Sequence, residues 1–151
     1  MYRPEEMSAQ AIEMMNSLDL PSFDDHPFVA PKPLDQRRVA IISSAGIHRR
    51  GDRPFGWAAR DYRTIPIQER ALVMSHVAVD FDRTGFEQDL NTIFPIERLE
   101  ELADAGVIGS VAKTHYSFMG GTDPLEMEPY ARKVADELRE DEVDTLLLVP
   151  I

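Results

Sequence analysis

Leu146-Leu147-Leu148-Val149 is an apolar run without alternation, and in a strand it sends apolar side chains to both faces at once. A half-solvated antiparallel strand alternates apolar and polar positions; a strand covered on both faces reads as continuous apolar sequence. Residues 145–151 therefore predict a largely buried strand, following an acidic helix end. Arg38-Val39-Ala40-Ile41-Ile42-Ser43 has the same character much earlier in the chain. Two such strands point to an α/β class, an open parallel or mixed sheet with helices on both faces in Rossmann-like layering. A strand of that kind normally delivers a loop and then a helix, and ligands gather at its carboxyl end. Nothing follows residue 151, so the sheet is expected to be incomplete on its C-terminal side.

Between the two runs the chain punctuates itself. Residues 4–18 predict a short helix with Met7, Ala11, Met14 and Met15 on one side. Four prolines between positions 21 and 33 predict an extended arm. This divides the chain into a helix and Pro-rich arm (1–33) and an α/β domain (34–151). Within the domain, strands are predicted at 62–65, 71–77 and 107–111. A helix over 96–105 is opened by Pro95 and ended by Gly106. A second helix over 124–140 carries Leu125, Tyr130, Val134 and Leu138 on its apolar side. Residues 44–55 and 114–121 read as polar loops.

Composition narrows the function. Among 151 residues, 27 acids face 16 lysines and arginines, a net charge of −11. That balance argues against nucleic acid and against anionic membrane surfaces as partners. No apolar run approaches the roughly 20 residues of a spanning helix, and the N-terminus lacks the pattern of a secretory signal. Cysteine is absent, which excludes a disulfide framework and a thiolate metal site within these residues. A cytoplasmic location is expected.

Three polar stretches carry potential chemistry. Ser44-Ala45-Gly46-Ile47-His48 follows the first strand as a phosphate loop would, but neither G-x-G-x-x-G nor G-x-x-x-x-G-K-[ST] is present. Arg49, Arg50 and Arg53, just beyond, offer planar forks suited to carboxylates; the plain alternative is a solvated basic loop. In Ser75-His76-Val77-Ala78-Val79-Asp80-Phe81-Asp82-Arg83, a continuing strand would align His76, Asp80 and Asp82 on one face. One imidazole and two carboxylates suit acid/base work better than a metal, because the spacing matches no known facial triad. The alternative has Asp80 and Asp82 capping turns and pairing with Arg83. His115, in Thr114-His115-Tyr116-Ser117, is either a general acid/base or a hydrogen-bonded structural histidine beside Gly120-Gly121. In a parallel sheet the strand ends after Ser43, Val77 and Val111 would share one edge with the end of the last strand. A thiol or selenol opening the next helix there would have its pKa lowered by the helix N-terminus.

The residues also carry a resemblance. Ser75-His76-Val77, the stretch from Asp82-Arg83-Thr84-Gly85-Phe86 through Asn91-Thr92-Ile93-Phe94-Pro95 to Leu99, and Gly106-Val107-Ile108-Gly109-Ser110-Val111-Ala112 with His115-Tyr116-Ser117-Phe118-Met119-Gly120 resemble the selenoprotein B family of the glycine/sarcosine/betaine/D-proline reductases, in its short stand-alone form. The resemblance covers roughly residue 34 to the end. It implies an α/β protein that reductively cleaves a bond in a small, amino-acid-like substrate. The implied working group is a selenocysteine or cysteine in a U-x-x-C or C-x-x-C motif beyond Ile151, with no cofactor held by these residues. The chain then reads as the N-terminal part of a selenoprotein stopping at its selenocysteine codon, UGA. On this reading His76 and His115 are catalytic acid/base or orienting groups. Arg83 and Asn91 position a carboxylate or order the loop, and Ser44, His48, Asp82, Tyr116 and Ser117 complete the substrate-binding set. The implied partners are a small-molecule substrate, a dithiol or thioredoxin-type reductant and, in better-known members, a pyruvoyl-bearing protein; a homo-oligomer is compatible with this. The competing reading is a non-catalytic subunit or small-molecule-binding α/β module completed by a partner chain.

Overall fold

A computed structural model describes residues 7–17, 19, 22, 29–78 and 83–151. The elements are α1 (Ala9–Asn16), β1 (Arg38–Ser43), β2 (Ile47–Arg49), β3 (Tyr62–Pro66), β4 (Leu72–Met74), α2 (Thr84–Gln88), α3 (Ile96–Asp104), β5 (Ser110–Val111), β6 (Thr114–Phe118), α4 (Pro124–Glu140) and β7 (Thr145–Val149). The first helix lies within the predicted 4–18, of which residues 4–6 and 18 are outside the described residues. Most of the predicted arm is outside them as well.

β1 is the centre of the sheet. It pairs in parallel with β7 on one side, Val39 opposite Thr145 through Ser43 opposite Val149. On the other side its first half meets β5 and its second half meets β6, again in parallel. β3 closes that flank antiparallel to β6. The sheet is therefore mixed, with helices on both faces. Alternate residues of β1 serve opposite layers. Val39 and Ile41 pack with Phe94, Ile96, Leu99 and Ile108 on the α3 side, while Ala40 packs with Tyr116, Phe118, Val134 and Leu138 on the α4 side. This is why the run never alternates.

The amino-terminal end of the strands is tied by two aspartates. Asp141 accepts from Arg38 Nη2 at 2.7 Å and from the Lys113 amide at 2.7 Å, and its backbone oxygen accepts from Arg38 Nε at 2.6 Å. Asp144 accepts from the Arg38 amide at 3.0 Å and pairs with Lys32 at 2.8 Å. Burial pushes the Asp141 carboxyl up, but the Lys113 amide and Arg38 more than offset this and leave its pKa below the usual value.

Several expectations change. The final strand forms where predicted but is not buried: it sits at the sheet edge, and Leu146, Leu147 and Leu148 are 45%, 37% and 64% exposed. It has a neighbour on one side only, and α4 covers β1 and β6, leaving an apolar groove of about 440 Å³ between Met127, Ala131 and Ala135 of α4 and Leu146 and Leu148 of β7. Residues 114–118 form an interior strand rather than a loop, because Thr, Tyr and Phe favour strands and His115 Nδ1 and Ser117 Oγ accept from backbone amides of the interior. The stretch 71–77 shortens to β4, which pairs antiparallel with β2 in a separate ribbon. Leu125 is exposed, and Met127 takes its place toward the core. Among the described residues no helix is long and apolar enough to cross a membrane.

Candidate functional site at the end of the parallel strands

β1 and β7 finish side by side. The Ser44 amide donates to the Val149 carbonyl at 3.1 Å, and the Ile151 amide donates to Ser44 Oγ at 2.8 Å. Ser44 thus touches the last residue of the sequence. Around it the backbone turns sharply: Gly46 has φ +64°, and a Cβ there would lie 3.0 Å from the His76 nitrogen and 3.1 Å from its Cα. Only glycine combines that conformation with that approach. Gly120 is pressed against Ser44 in the same way, an added Cβ falling 2.9 Å from Ser44 Cβ. Ser43 lies beneath, donating to the Ile93 carbonyl at 2.9 Å and accepting from the Ala45 amide at 3.2 Å. The chain then enters β2 and not a helix, so the loop after β1 does not present a helix N-terminus.

His76 is brought to this corner. The Ser75 amide donates to the Gly46 carbonyl at 2.9 Å. The His76 ring is buried, and its Nδ1 accepts from the Ala78 amide at 3.1 Å; a neutral ring therefore carries its proton on Nε2. Arg83 donates to the carbonyls of His76, at 3.1 Å, and Ala78, clamping the segment that holds the imidazole. Ser117, opposite Ser43 across the β1–β6 pair, is wholly buried and accepts from the Ile47 amide at 2.9 Å. Ser44, His76, Arg83 and Ser117 thus converge on one end of the sheet.

The remaining predicted residues lie elsewhere. His115 sits two residues back along β6 in the packed interior. Its Nδ1 accepts from the Ile41 amide at 3.0 Å, and its ring meets Phe94 edge to face at 5.6 Å. Burial lowers its pKa from 6.5 to about 4, so it is neutral at physiological pH. Tyr116 turns to the opposite face among Tyr62, Val134 and Leu138, and burial, with Glu137 adding to it, raises its phenol pKa. His48 is buried on β2, its Nδ1 donating to the Arg49 carbonyl at 2.9 Å. Asn91 caps α3: it donates to Asp89 at 2.9 Å and Glu97 at 2.8 Å and accepts from the Glu97 amide at 3.2 Å. Asp82, like Asp80, is outside the described residues. The three strand ends predicted to share an edge reduce to the end of β1 with the His76 segment laid against it, since β4 belongs to the ribbon and β5 leads directly into β6. Among the described residues no group of three or more His, Cys, Asp or Glu is placed to hold a metal. The roles of Gly46 and Gly120 escaped the sequence reading; a glycine two or three residues past a buried strand was the available signal.

The family model for glycine/sarcosine/betaine reductase selenoprotein B matches residues 8–150. The chain belongs to that family. Among curated relatives, the D-proline reductase subunit gamma of Acetoanaerobium sticklandii is 31% identical over 122 residues, covering 78% of this chain and 50% of the relative. The glycine reductase complex component B subunit gamma of Symbiobacterium thermophilum is 28% identical over 97% of this chain and 38% of its own length. The corresponding protein of Peptoclostridium acidaminophilum is 29% identical over 85% of this chain and 31% of its own. The chain thus spans half or less of the length of these relatives. No solved structure matches it.

Proposed function

We propose that this chain is the amino-terminal part of a reductase-complex subunit whose selenol or thiol stands just beyond Ile151, over the corner formed by Ser44, Gly46, His76 and Gly120. The observation that carries this reading is the hydrogen bond from the Ile151 amide to Ser44 Oγ at 2.8 Å, which seats the end of β7 on the end of β1. A residue following Ile151 emerges where open α/β sheets bind their ligands. The relatives' names speak of D-proline and glycine reductases, so the proposed substrate is a small amino acid or its derivative. The proposed reaction is a two-electron cleavage of one of its bonds, with a dithiol oxidised to a disulfide in return.

Each residue then has a defined task. The Ser44 hydroxyl fixes the backbone that delivers the nucleophile. Arg83 holds the His76 segment, and His76 orients the substrate or passes it a proton. His115, enclosed and neutral, keeps β6 in register with β1 and takes no part in proton transfer.

The test reads the codon after Ile151 and the bases that follow, then produces the extended protein with cysteine at the selenocysteine position. An in-frame UGA that opens a U-x-x-C motif, dithiol-dependent turnover of glycine, sarcosine, betaine or D-proline by the extended protein with its partners, and none by the 151-residue chain are expected. Dithiol-driven turnover by the 151-residue chain, or a UAA stop with no such reading frame behind it, overturns the proposal.

A further inference from the structure

The segment joining β2 to β3 has a charge opposite to that of the rest of the protein. Residues 49–63 hold five arginines and two aspartates in a chain whose net charge is −11. Three of the arginines are neutralised: Arg49 pairs with Asp52 at 3.0 Å, Arg60 with Glu126 at 2.8 Å and Arg63 with Asp61 at 2.8 Å. Arg50 and Arg53 are exposed and have no carboxylate partner among the described residues. Lys133, 5.5 Å over the ring of Tyr130, adds a cation at the border.

The same segment displays the only tryptophan of the chain, Trp57, 83% exposed. A loose loop could expose an indole by default, but this loop is anchored throughout. Phe55 is buried under the Arg63 guanidinium, 4.4 Å from the ring centre, and its amide donates to Ser75 Oγ at 2.8 Å. Arg63 donates to the Arg53 carbonyl at 3.0 Å, and Thr122 donates to the Ala59 carbonyl at 2.7 Å. Ala58, next to the indole, takes the left-handed conformation at φ 52°, a strained choice for a residue with a Cβ. The loop is thus fixed with its largest apolar side chain facing outward, beside a cavity of about 340 Å³ lined by Arg53, Arg60, Arg63 and Tyr130.

We propose that this surface docks an acidic segment of a partner protein, with its carboxylates on Arg50 and Arg53 and an apolar side chain against Trp57 and Tyr130. Arginine and tryptophan are the residues that most often dominate such contacts, and the arginine fork matches a carboxylate in plane. Charge selects the occupant. An acidic segment is attracted here and repelled by the acidic helices elsewhere, which fixes where on this protein it binds. A nucleic acid would extend its phosphates beyond the patch onto acidic surface.

The single indole makes the test direct. The chain is titrated with poly-L-glutamate while Trp57 emission is followed, with poly-L-lysine and a 20-base-pair DNA duplex as comparisons. Poly-L-glutamate is expected to blue-shift the emission saturably, and Arg50→Glu/Arg53→Glu to weaken the midpoint at least tenfold with an unchanged melting temperature. Trp57→Ala, read by calorimetry, is expected to weaken it as well. No shift, a shift unaffected by the charge reversal, or equal binding of the duplex would overturn the proposal. An emission change that depends on protein concentration without any peptide would assign the surface to a second copy and overturn it too.

Discussion

At the scale of single residues, two positions put the frame of the site to a measurable test. His115 is enclosed in the neutral state, its pKa lowered from 6.5 to about 4 chiefly by burial. The unfolded chain therefore binds a proton that the folded chain refuses between those values. This contribution to stability is complete above about pH 6.5 and is lost as the pH falls toward 4, by up to about 3 kcal/mol at 1.36 kcal/mol per unit. Urea melts at stepped pH should show this loss, and His115→Asn, which retains an acceptor for the Ile41 amide, should flatten the slope in that window. An unchanged slope would mean that His115 is not the buried base described. Gly46→Ala adds a Cβ at φ +64° with backbone atoms of His76 at 3.0 and 3.1 Å. We expect a cost of about 2 kcal/mol and a melting point lower by about 4–8 °C. A melting point within a degree of the parent would contradict the close approach.

At the scale of elements, the Asp141 clamp sets the register of the sheet. It joins Arg38 of β1, the Lys113 amide before β6 and the turn before β7 through half-buried groups. Asp141→Ala leaves the Arg38 guanidinium without its partner, and a loss of about 2–3 kcal/mol is expected in thermal denaturation; Asp141→Asn should lose less. A fall below 0.5 kcal/mol in the alanine variant would make the clamp ornamental. Elements whose code is local were legible in advance. β1 matches its predicted span, and α4 begins at its proline and turns Tyr130, Val134 and Leu138, though not Leu125, toward the core as expected. β6 was misread because it is polar by composition: His115 and Ser117 look like loop residues until their donors, the Ile41 and Ile47 amides, are known. β2 was hidden because three residues carry no periodicity, and its partner β4 lies 23 or more positions away. The corner at Ser44 was foreseeable as a strand end, but Gly46 and Gly120 owe their importance to neighbours that only folding supplies.

At the scale of the whole molecule, the unequal cover of the sheet governs solution behaviour. Leu146, Leu147 and Leu148 stand exposed on both faces of an edge strand with an open row of backbone groups. Such an edge recruits other chains. Sedimentation velocity of the 151-residue chain at tens of micromolar should show concentration-dependent association, and Leu148→Glu should shift it toward monomer. A monodisperse monomer for the parent would show that the edge is tolerated.

The position of β1 also has a consequence in time. β1 is made early, and its parallel neighbours β5, β6 and β7 all come later, the clasp between Arg38 and Asp144 spanning 106 positions. At roughly 5–20 residues per second of synthesis, the apolar heart of the sheet waits on the order of 5–20 seconds for β7, its longest-registered neighbour. During that wait Val39, Ala40 and Ile41 have little local structure to shelter them, because the loop-closure entropy of distant pairing is met before any of its contacts form. A nascent chain of this design depends on whatever shields those residues at the ribosome, and its yield in cells should respond to the speed of translation and the supply of chaperones more than to the stability of the finished fold.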